Sequence, residues 1–241
     1  MNFAYDELPK KEGKFHKYLT DSYGKVFTKE DSPTMPGTVR LSHPNDDWYY
    51  KTKTKKDKIV LHFTAGFLHA DIGELTKQHV SVAYVVARDG TVYELFDPEY
   101  WSYHLGPKAT GGNKKNSSSS IGIEICNNGP LTLENGILKT WSGSPYCTID
   151  QADAFVKVKD EGGFRGHKYF ASYTKEQFRT LDLLITNICR KHKILRKLPK
   201  LNERAQKFVN DPGEGIWSHQ NFRSDKFDVG PAFEWDRISG R

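Results

Sequence analysis

The sequence predicts an α/β fold with a central mixed β-sheet flanked by helices. Three observations carry this. Lys58-Ile59-Val60-Leu61-His62-Phe63 is a short, apolar, β-branched run of the kind a buried strand produces. Val80 to Val86 and Val92 to Phe96 flank Asp89-Gly90, and Asp-Gly between two apolar runs supplies the positive φ of a tight hairpin turn. Tyr173 to Ile194 carries Phe178, Leu181, Leu184, Ile185 and Ile188 at helical spacing, and Thr174 with Gln177 fits a capping box. Strands alternating with helices, with one hairpin among them, make a mixed sheet. The chain shows no internal repeat.

Residues 1–45 are polar and irregular, broken by Pro9, Pro33, Pro36 and Gly37, and basic at Lys10, Lys11, Lys14 and Lys17. They read as an arm packed on the domain, with one short helix near residues 15–21; an unattached extension is the other reading. Residues 46–241 are the domain itself. Lys51 to Lys56 is a charge run, expected as a solvated loop. After the strand at 58–63, Thr64-Ala65-Gly66 must turn, and Asp71 to Lys77 is a short helix. Trp101, Tyr103 and His104 follow the hairpin in an aromatic loop closed by Gly106-Pro107. Lys108 to Ser120 is Gly, Asn, Lys and Ser, expected as a flexible surface loop. Ile121 to Cys126 is a strand whose isoleucines face one side while Gly122, Glu124 and Cys126 face the other. Residues 130–170, rich in aromatics and glycines, read as an irregular insertion. Residues 200–215 are polar. Turn-formers then dominate Ser218 to Pro231, and Phe233 and Trp235 are placed to dock the C-terminus.

Bulk properties exclude some classes. The chain has 241 residues, 37% hydrophobic and 27% charged, which allows one large domain with a sizeable core. It contains no apolar run near the ~20 residues that span a membrane, so stable membrane association is not expected. The start lacks a basic region followed by an apolar block, so no secretory signal peptide is expected. Cys126, Cys147 and Cys189 are odd in number with no CxxC, which fits a reduced compartment of synthesis better than a disulfide framework. A net charge of +6 favours anionic partners such as nucleic acid, membrane surfaces or wall polymers without choosing among them. Because the Lys and Arg clusters lack an interleaved stacking motif, nucleic-acid binding is the weak reading. A monomer is expected.

Residues with chemical potential gather in a few places. His62 ends a buried strand, and His219 and Asp228 lie in the tail loop. Together they are nitrogen and oxygen donors for a metal, and three protein ligands with one open position is a catalytic rather than structural layout. Glu124 is a carboxylate in an apolar strand, where an unpaired charge would cost several kcal/mol. Its small face-mates leave room for it to act as a general base. Lys226 lies two residues before Asp228 and would stabilise an oxyanion. Trp101 and His104 in the aromatic loop are substrate-contact candidates. Each also has a plainer reading. His62 would be a hydrogen-bonded structural histidine, Glu124 would face solvent, and His104, Lys226 and the tail residues would be surface polar groups. Cys126 as a nucleophile lacks a positioned base.

Five segments in order resemble one family. They are His62-Phe63-Thr64-Ala65-Gly66, Val80-Ser81-Val82-Ala83-Tyr84 leading to Arg88-Asp89-Gly90-Thr91-Val92, His104-Leu105-Gly106, Ser120 to Glu124, and His219 to Trp235 with Asp228-Val229-Gly230-Pro231. This pattern is similar to the zinc-dependent N-acetylmuramoyl-L-alanine amidases of the type 2 amidase and peptidoglycan-recognition-protein fold. It covers residues 55–235, interrupted by insertions near 108–118, 130–170 and 196–215. The resemblance implies one Zn²⁺ per chain on His62, His219 and Asp228, Glu124 as the catalytic carboxylate, Lys226 as a transition-state cation and His104 beside the cleft. It implies hydrolysis of the amide between N-acetylmuramic acid and L-alanine, with peptidoglycan or muropeptide as partner. Phe63 stands where relatives commonly carry a second His, and Val82 and Ala83 where many carry a Tyr or His. The third ligand is Asp rather than Cys.

The leading expectation is therefore a peptidoglycan hydrolase of phage-endolysin type, made in a host cytoplasm and released to the wall. A cytosolic muropeptide-recycling amidase and a non-catalytic peptidoglycan-binding module are the alternatives.

Overall fold

The computed structural model describes residues 3–7, 10, 12, 28–32, 35–43, 45–200, 209 and 212–240. In chain order its strands are β1 (Thr28–Asp31), β2 (Thr38–Ser42), β3 (Lys58–Phe63), β4 (Tyr84–Val86), β5 (Val92–Glu94), β6 (Ser120–Ile125), β7 (Pro130–Glu134), β8 (Ile137–Lys139), β9 (Pro145–Thr148), β10 (Phe155–Lys157), β11 (Tyr169–Ala171) and β12 (Gly215–Ser218). The helices are α1 (Leu68–Leu75), α2 (Asn113–Ser119), α3 (Lys175–His192) and the single turn α4 (His219–Phe222), with a 3₁₀ turn at Trp235–Ile238.

Seven strands build the main sheet in the order β1-β2-β5-β4-β6-β3-β12. It is mixed: β3 runs parallel to both β6 and β12, while β4 and β5 form the antiparallel hairpin. The Asp89-Gly90 turn closes that hairpin as expected, with Gly90 at φ +86° and its N–H donating to Ala87 O at 3.0 Å. Crossover connections place parallel strands where both faces are covered, and β3 shows the result. Ile59 and Leu61 enter the main core with Ile121, Ile123 and Ile125 of β6 and with Phe178, Leu181, Leu184, Ile185 and Ile188 of α3. Val60, on the opposite face, packs with Leu105, Trp217 and Phe222. Each such fully buried side chain contributes about 1.5–3 kcal/mol. Helix α3 carries the expected capping box, Thr174 accepting from the Gln177 N–H at 3.1 Å while Gln177 accepts from the Thr174 N–H at 3.0 Å. Phe233 and Trp235 are buried and dock the tail, Phe233 against Phe178 and Tyr173.

Several expectations are corrected. The 130–170 stretch is not irregular: β7 to β11 form a second, antiparallel sheet in the order β10-β11-β7-β8-β9. It has its own small core of Leu131, Leu138, Tyr146, Cys147, Ala154 and Ala171. The Lys108–Ser120 stretch is not a plain loop. It contains α2, which no apolar period announced because side-chain hydrogen bonds hold it: Asn116 Nδ2 donates to Thr110 O at 2.8 Å, and Ser117 Oγ donates to Asn113 Oδ1 at 2.9 Å. Helix α1 spans Leu68–Leu75 and so begins ahead of the expected Asp71 start. Val80 to Ala83 is not strand; Val80 forms only an isolated bridge with Tyr103. Lys56, at the end of the supposed solvated run, is buried with its ammonium on Ser118 O at 2.9 Å, and burial pushes its pKa down to about 7.

The arm is partly built into the fold. β1 and β2 pair with each other, and β2 continues the sheet beside β5. Ala4 joins the core of the second sheet, Tyr5 donates to Asp153 Oδ2 at 3.1 Å, and Glu12 Oε2 accepts from the Arg88 N–H at 2.8 Å. The helix expected near residues 15–21 lies outside the described residues. All three cysteines are buried and free. No helix among the described residues is long and apolar enough to cross a membrane.

Candidate metal centre and cleft

The parallel trio β6-β3-β12 places the site. Side chains alternate along β3, so Lys58, Val60 and His62 share one face. Their register partners on β6 are Ser120, Gly122 and Glu124, which share that face too. β12 ends at Ser218, and the next residue, His219, opens α4. Two histidines thus arrive at the carboxyl ends of neighbouring parallel strands, where open α/β sheets bind ligands.

The tail loop is shaped to return a carboxylate to the same point. Ser218 and Asn221 box the start of α4, with the Ser218 N–H on Asn221 Oδ1 at 3.0 Å. The Gln220 N–H closes the loop on Asp228 O at 3.0 Å. Arg223 ties the loop's outer side, donating to Asp225 Oδ1 at 3.0 Å and to Leu105 O at 3.2 Å. Tyr173 anchors its end through Val229 O at 2.9 Å.

Three buried ligand atoms converge. His62 Nδ1 lies 3.0 Å from His219 Nδ1, and Asp228 Oδ2 lies 3.2 Å from the first and 3.0 Å from the second. Among the described residues these three form the group of His, Cys, Asp and Glu with metal-ligand spacing. The hydrogen bonds behind them decide the tautomers. Ser120 spends its one hydroxyl hydrogen on Asn116 O at 2.6 Å, so it accepts from His104 Nε2–H at 2.9 Å. His104 Nδ1 is then a lone pair and accepts from His62 Nε2–H at 2.9 Å. His219 Nε2–H donates to Leu105 O at 2.9 Å. Both Nδ1 atoms therefore turn lone pairs, not protons, toward a carboxylate oxygen. Three acceptors facing one point with no donor between them fit a cation. Ligand atoms around a tetrahedral ion at bond lengths of about 2.0–2.2 Å stand only slightly farther apart.

Electrostatics agree with this arrangement. Burial first, then neighbouring His219, lower the His62 pKa to about 4 against the opposing pull of Asp228. Burial alone would raise the Asp228 carboxyl, and only positive charge on the His219 and His62 side, as protons on those rings or as a cation in their place, holds it below the carboxylate range. His104 is likewise pushed well below its usual value, first by burial and then by His62 and His219. Glu124 stands across the strand pair from His62, with one carboxylate oxygen buried and unpartnered. Burial, then the charges of Asp228 and Asp71, raise it well above its usual value, with Lys226 opposing.

These groups line a cleft of about 490 Å³, whose walls include His62, His104, Glu124, His219, Lys226 and Asp228. Trp101 is not brought there. It is buried, with its ring stacked on Tyr50 at 4.3 Å between centroids. The cleft also holds residues that sequence reasoning passed over: Val80, Thr132, Trp141, His167 and Phe227. Trp141, an indole in the Ser- and Gly-rich stretch Thr140 to Ser144 where no apolar period claims it, was findable. Ser120, which sets the tautomers, carried no comparable mark.

The sequence matches the family described as N-acetylmuramoyl-L-alanine amidase over residues 52–231. Among solved structures, the chain is similar to the amidase AmiD of E. coli, solved with anhydro-N-acetylmuramic acid-L-Ala-D-gamma-Glu-L-Lys, at 21% identity, TM-score 0.50 and 78% coverage of this chain. The match spans 58% of the AmiD chain. It is also similar to AmpDH3 of Pseudomonas aeruginosa, solved with anhydromuramic pentapeptide, at 19% identity, TM-score 0.47, 78% of this chain and 60% of that one. A third likeness is to the endolysin LysCS of Clostridium intestinale, at 14% identity, TM-score 0.44, 85% of this chain and 93% of that one. No curated protein sequence matches the chain. With its sequence matched over residues 52–231, from ahead of the His62 strand through the Asp228 loop, the chain belongs to the N-acetylmuramoyl-L-alanine amidase family.

Proposed function

We propose that the chain cleaves the amide between N-acetylmuramic acid and L-alanine in peptidoglycan, using one zinc ion held by His62 Nδ1, His219 Nδ1 and Asp228. The observation that carries this is the convergence of two imidazole lone pairs and a carboxylate oxygen at 3.0–3.2 Å, with Glu124 across the strand pair. When bound there, zinc supplies an acidified water and positive charge for the substrate carbonyl.

The chain's own residues do the rest. Glu124 takes the proton of the water that attacks the lactyl carbonyl and returns it to the departing nitrogen of L-alanine. A carboxyl whose pKa is raised by burial holds that proton long enough to deliver it. Lys226 donates to the carbonyl oxygen as it gains charge. His104 keeps the His62 imidazole in the tautomer and orientation that present Nδ1. The products are a free lactyl carboxylic acid on the sugar and a free amine on the stem peptide.

Within this reading the substrate is intact wall, as for an endolysin. The net charge of +6 favours adsorption on an anionic polymer, and the second sheet extends the cleft wall beyond the metal ligands. The test is release of L-alanine amino groups from purified peptidoglycan, with chelator and then with zinc restored. Release that stops with chelator and returns with zinc supports the proposal. Tight binding to wall with no release under zinc would instead make the chain a recognition module. Comparing lysis of permeabilised cells with cleavage of soluble anhydro-muropeptides separates wall lysis from recycling.

A further inference from the structure

Trp141 contrasts with the other tryptophans. Trp48, Trp101, Trp217 and Trp235 are buried at 0–7% exposure, whereas Trp141 is 74% exposed. It is nevertheless held in place. Its indole N–H donates to Ala65 O at 2.6 Å, three residues beyond His62, and the ring lines the same cleft as the metal ligands. Its turn, joining β8 to β9, is also fixed: the Thr140 N–H bonds Ser144 O at 2.9 Å, and the Gly143 N–H bonds Thr140 O at 2.9 Å with Gly143 at φ +79°.

The chemistry this turn offers is specific. Because the indole N–H is already used, what the ring presents is its apolar π face. The turn that carries it supplies neutral hydroxyls, Thr140 Oγ1 lying 3.0 Å from Ser142 Oγ and Ser142 Oγ lying 3.4 Å from Ser144 Oγ. No charged residue occurs from Thr140 to Ser144. A pyranose ring has an apolar C–H face ringed by hydroxyls, which matches an exposed aromatic ring on a turn rich in Ser and Thr. An acidic stem peptide would seek a cation, and the lysine lining the cleft, Lys226, stands on a different loop.

We propose that Trp141 and the hydroxyls of its turn form a saccharide subsite, stacking a sugar ring of the glycan and so positioning the adjoining lactyl amide over the metal centre. The proposal deepens the amidase reading and rests on it for the identity of the scissile bond. Trp141 is a positioning residue: it touches the sugar and not the reacting atoms.

The experiment compares wild type, Trp141→Ala and Trp141→Phe on two substrates, an N-acetylmuramoyl-L-alanyl peptide and the corresponding lactyl-L-alanyl peptide without the sugar ring. Trp141→Ala is expected to raise KM for the sugar-bearing substrate on the order of tenfold, with kcat within about twofold, and to leave the ring-less substrate unaffected. Trp141→Phe, which keeps a stacking ring but loses the bond to Ala65, is expected to recover most of that loss. Equal losses on both substrates, or a Phe variant as impaired as Ala, overturn the proposal in favour of a structural strut. A second measurement needs no turnover. The disaccharide of N-acetylglucosamine and N-acetylmuramic acid should change wild-type tryptophan fluorescence, and the change should vanish in Trp141→Phe. If that signal is present while neither substrate is cut, the subsite stands and the amidase reading falls. If sugar-bearing substrate is cut but the signal is absent, the subsite falls and the amidase reading stands.

Discussion

His62 and Glu124 are register partners across the parallel pair β3–β6, so their side chains leave the sheet side by side on the cleft face. The pairing puts a candidate metal ligand and a candidate proton carrier on two inner strands of the main sheet, where neither depends on a loop for its position. It also leaves Glu124 with a buried oxygen that no group among the described residues satisfies. A carboxylate kept in that state burdens the fold. Replacing it should therefore separate function from stability. Glu124→Ala is expected to retain the metal and to melt no lower than wild type, while amide cleavage falls by roughly 10²–10⁴-fold. Metal content, a thermal melt and amine release on one preparation check all three. A variant that cleaves at the wild-type rate would remove Glu124 from the mechanism.

The chain Asn116, Ser120, His104, His62 is a line of hydrogen bonds ending on the metal-facing nitrogen. Each link assigns the next proton, and Ser120 can play only the acceptor toward His104 because its own hydrogen is on Asn116 O. Outer partners of this kind typically contribute 10–100-fold to metal affinity. His104→Ala and Ser120→Ala are expected to weaken zinc binding, the former by about that amount, without removing a ligand. Gly122→Ala should act through the same line, because a Cβ there would stand 3.2 Å from His104 Cγ and 2.8 Å from Val82 Cγ1 and so push the ring away from His62. Competition with a chromogenic chelator measures the affinities. Unchanged affinity in all three would show that the relay does not tune the site.

Removing the ion should cost stability as well as activity. Three buried acceptors within 3.2 Å of one another repel unless a cation lies among them. A ligand that binds only the folded state adds about 2.7 kcal/mol at a hundredfold excess over its Kd. For a chain of this size that corresponds to a melting shift of roughly 5–10 °C. Adding zinc to metal-free protein should raise the midpoint by that order, and Asp228→Ala should abolish the rise. A midpoint indifferent to zinc in the wild type would argue against a metal at this point.

The parts of this architecture that were legible are those written in local pattern. β3, β6, the Asp89-Gly90 hairpin and α3 each follow from residue spacing over a few turns or pleats, and Glu124 attracted notice because a charge stood in an apolar strand. What escaped notice depends on distant pairing or on polar bonds. Helix α2 is held by Asn116 and Ser117 rather than by an apolar stripe, and the β7–β11 sheet exists because strands of only 3–5 residues, too short to show a period, pair across loops. Trp101 and Trp141 make the point together. Both lie in loops, and nothing nearby in sequence says that Tyr50 will cover one while the other projects into the cleft. Likewise, the direction in which the His62 proton points is decided by Asn116 through Ser120 and His104, residues from two other segments.

Glu12 is buried, accepts the Arg88 N–H at 2.8 Å, and has no partner for its other oxygen among the described residues. Burial raises its pKa to about 7, while the backbone bond and charge of Arg88 oppose and the charge of Asp89 adds to the rise. In the unfolded chain a Glu titrates near 4.3. Between those two values the folded state binds the extra proton, so stability falls as pH rises through that window. The contribution of Glu12 is thus fully present below about pH 4.3 and lost above about pH 7. Glu12→Gln keeps the shape without the charge, so it should melt a few degrees above wild type at pH 8 and at the same temperature at pH 4. Asp71, raised to about 7 chiefly by its own burial and in part by the charge of Glu12, should titrate lower in that variant. Thermal melts of both proteins across pH 4–8 check this. A gap that stays constant with pH would mean that Glu12 is not the group whose ionisation strains the junction between arm and hairpin.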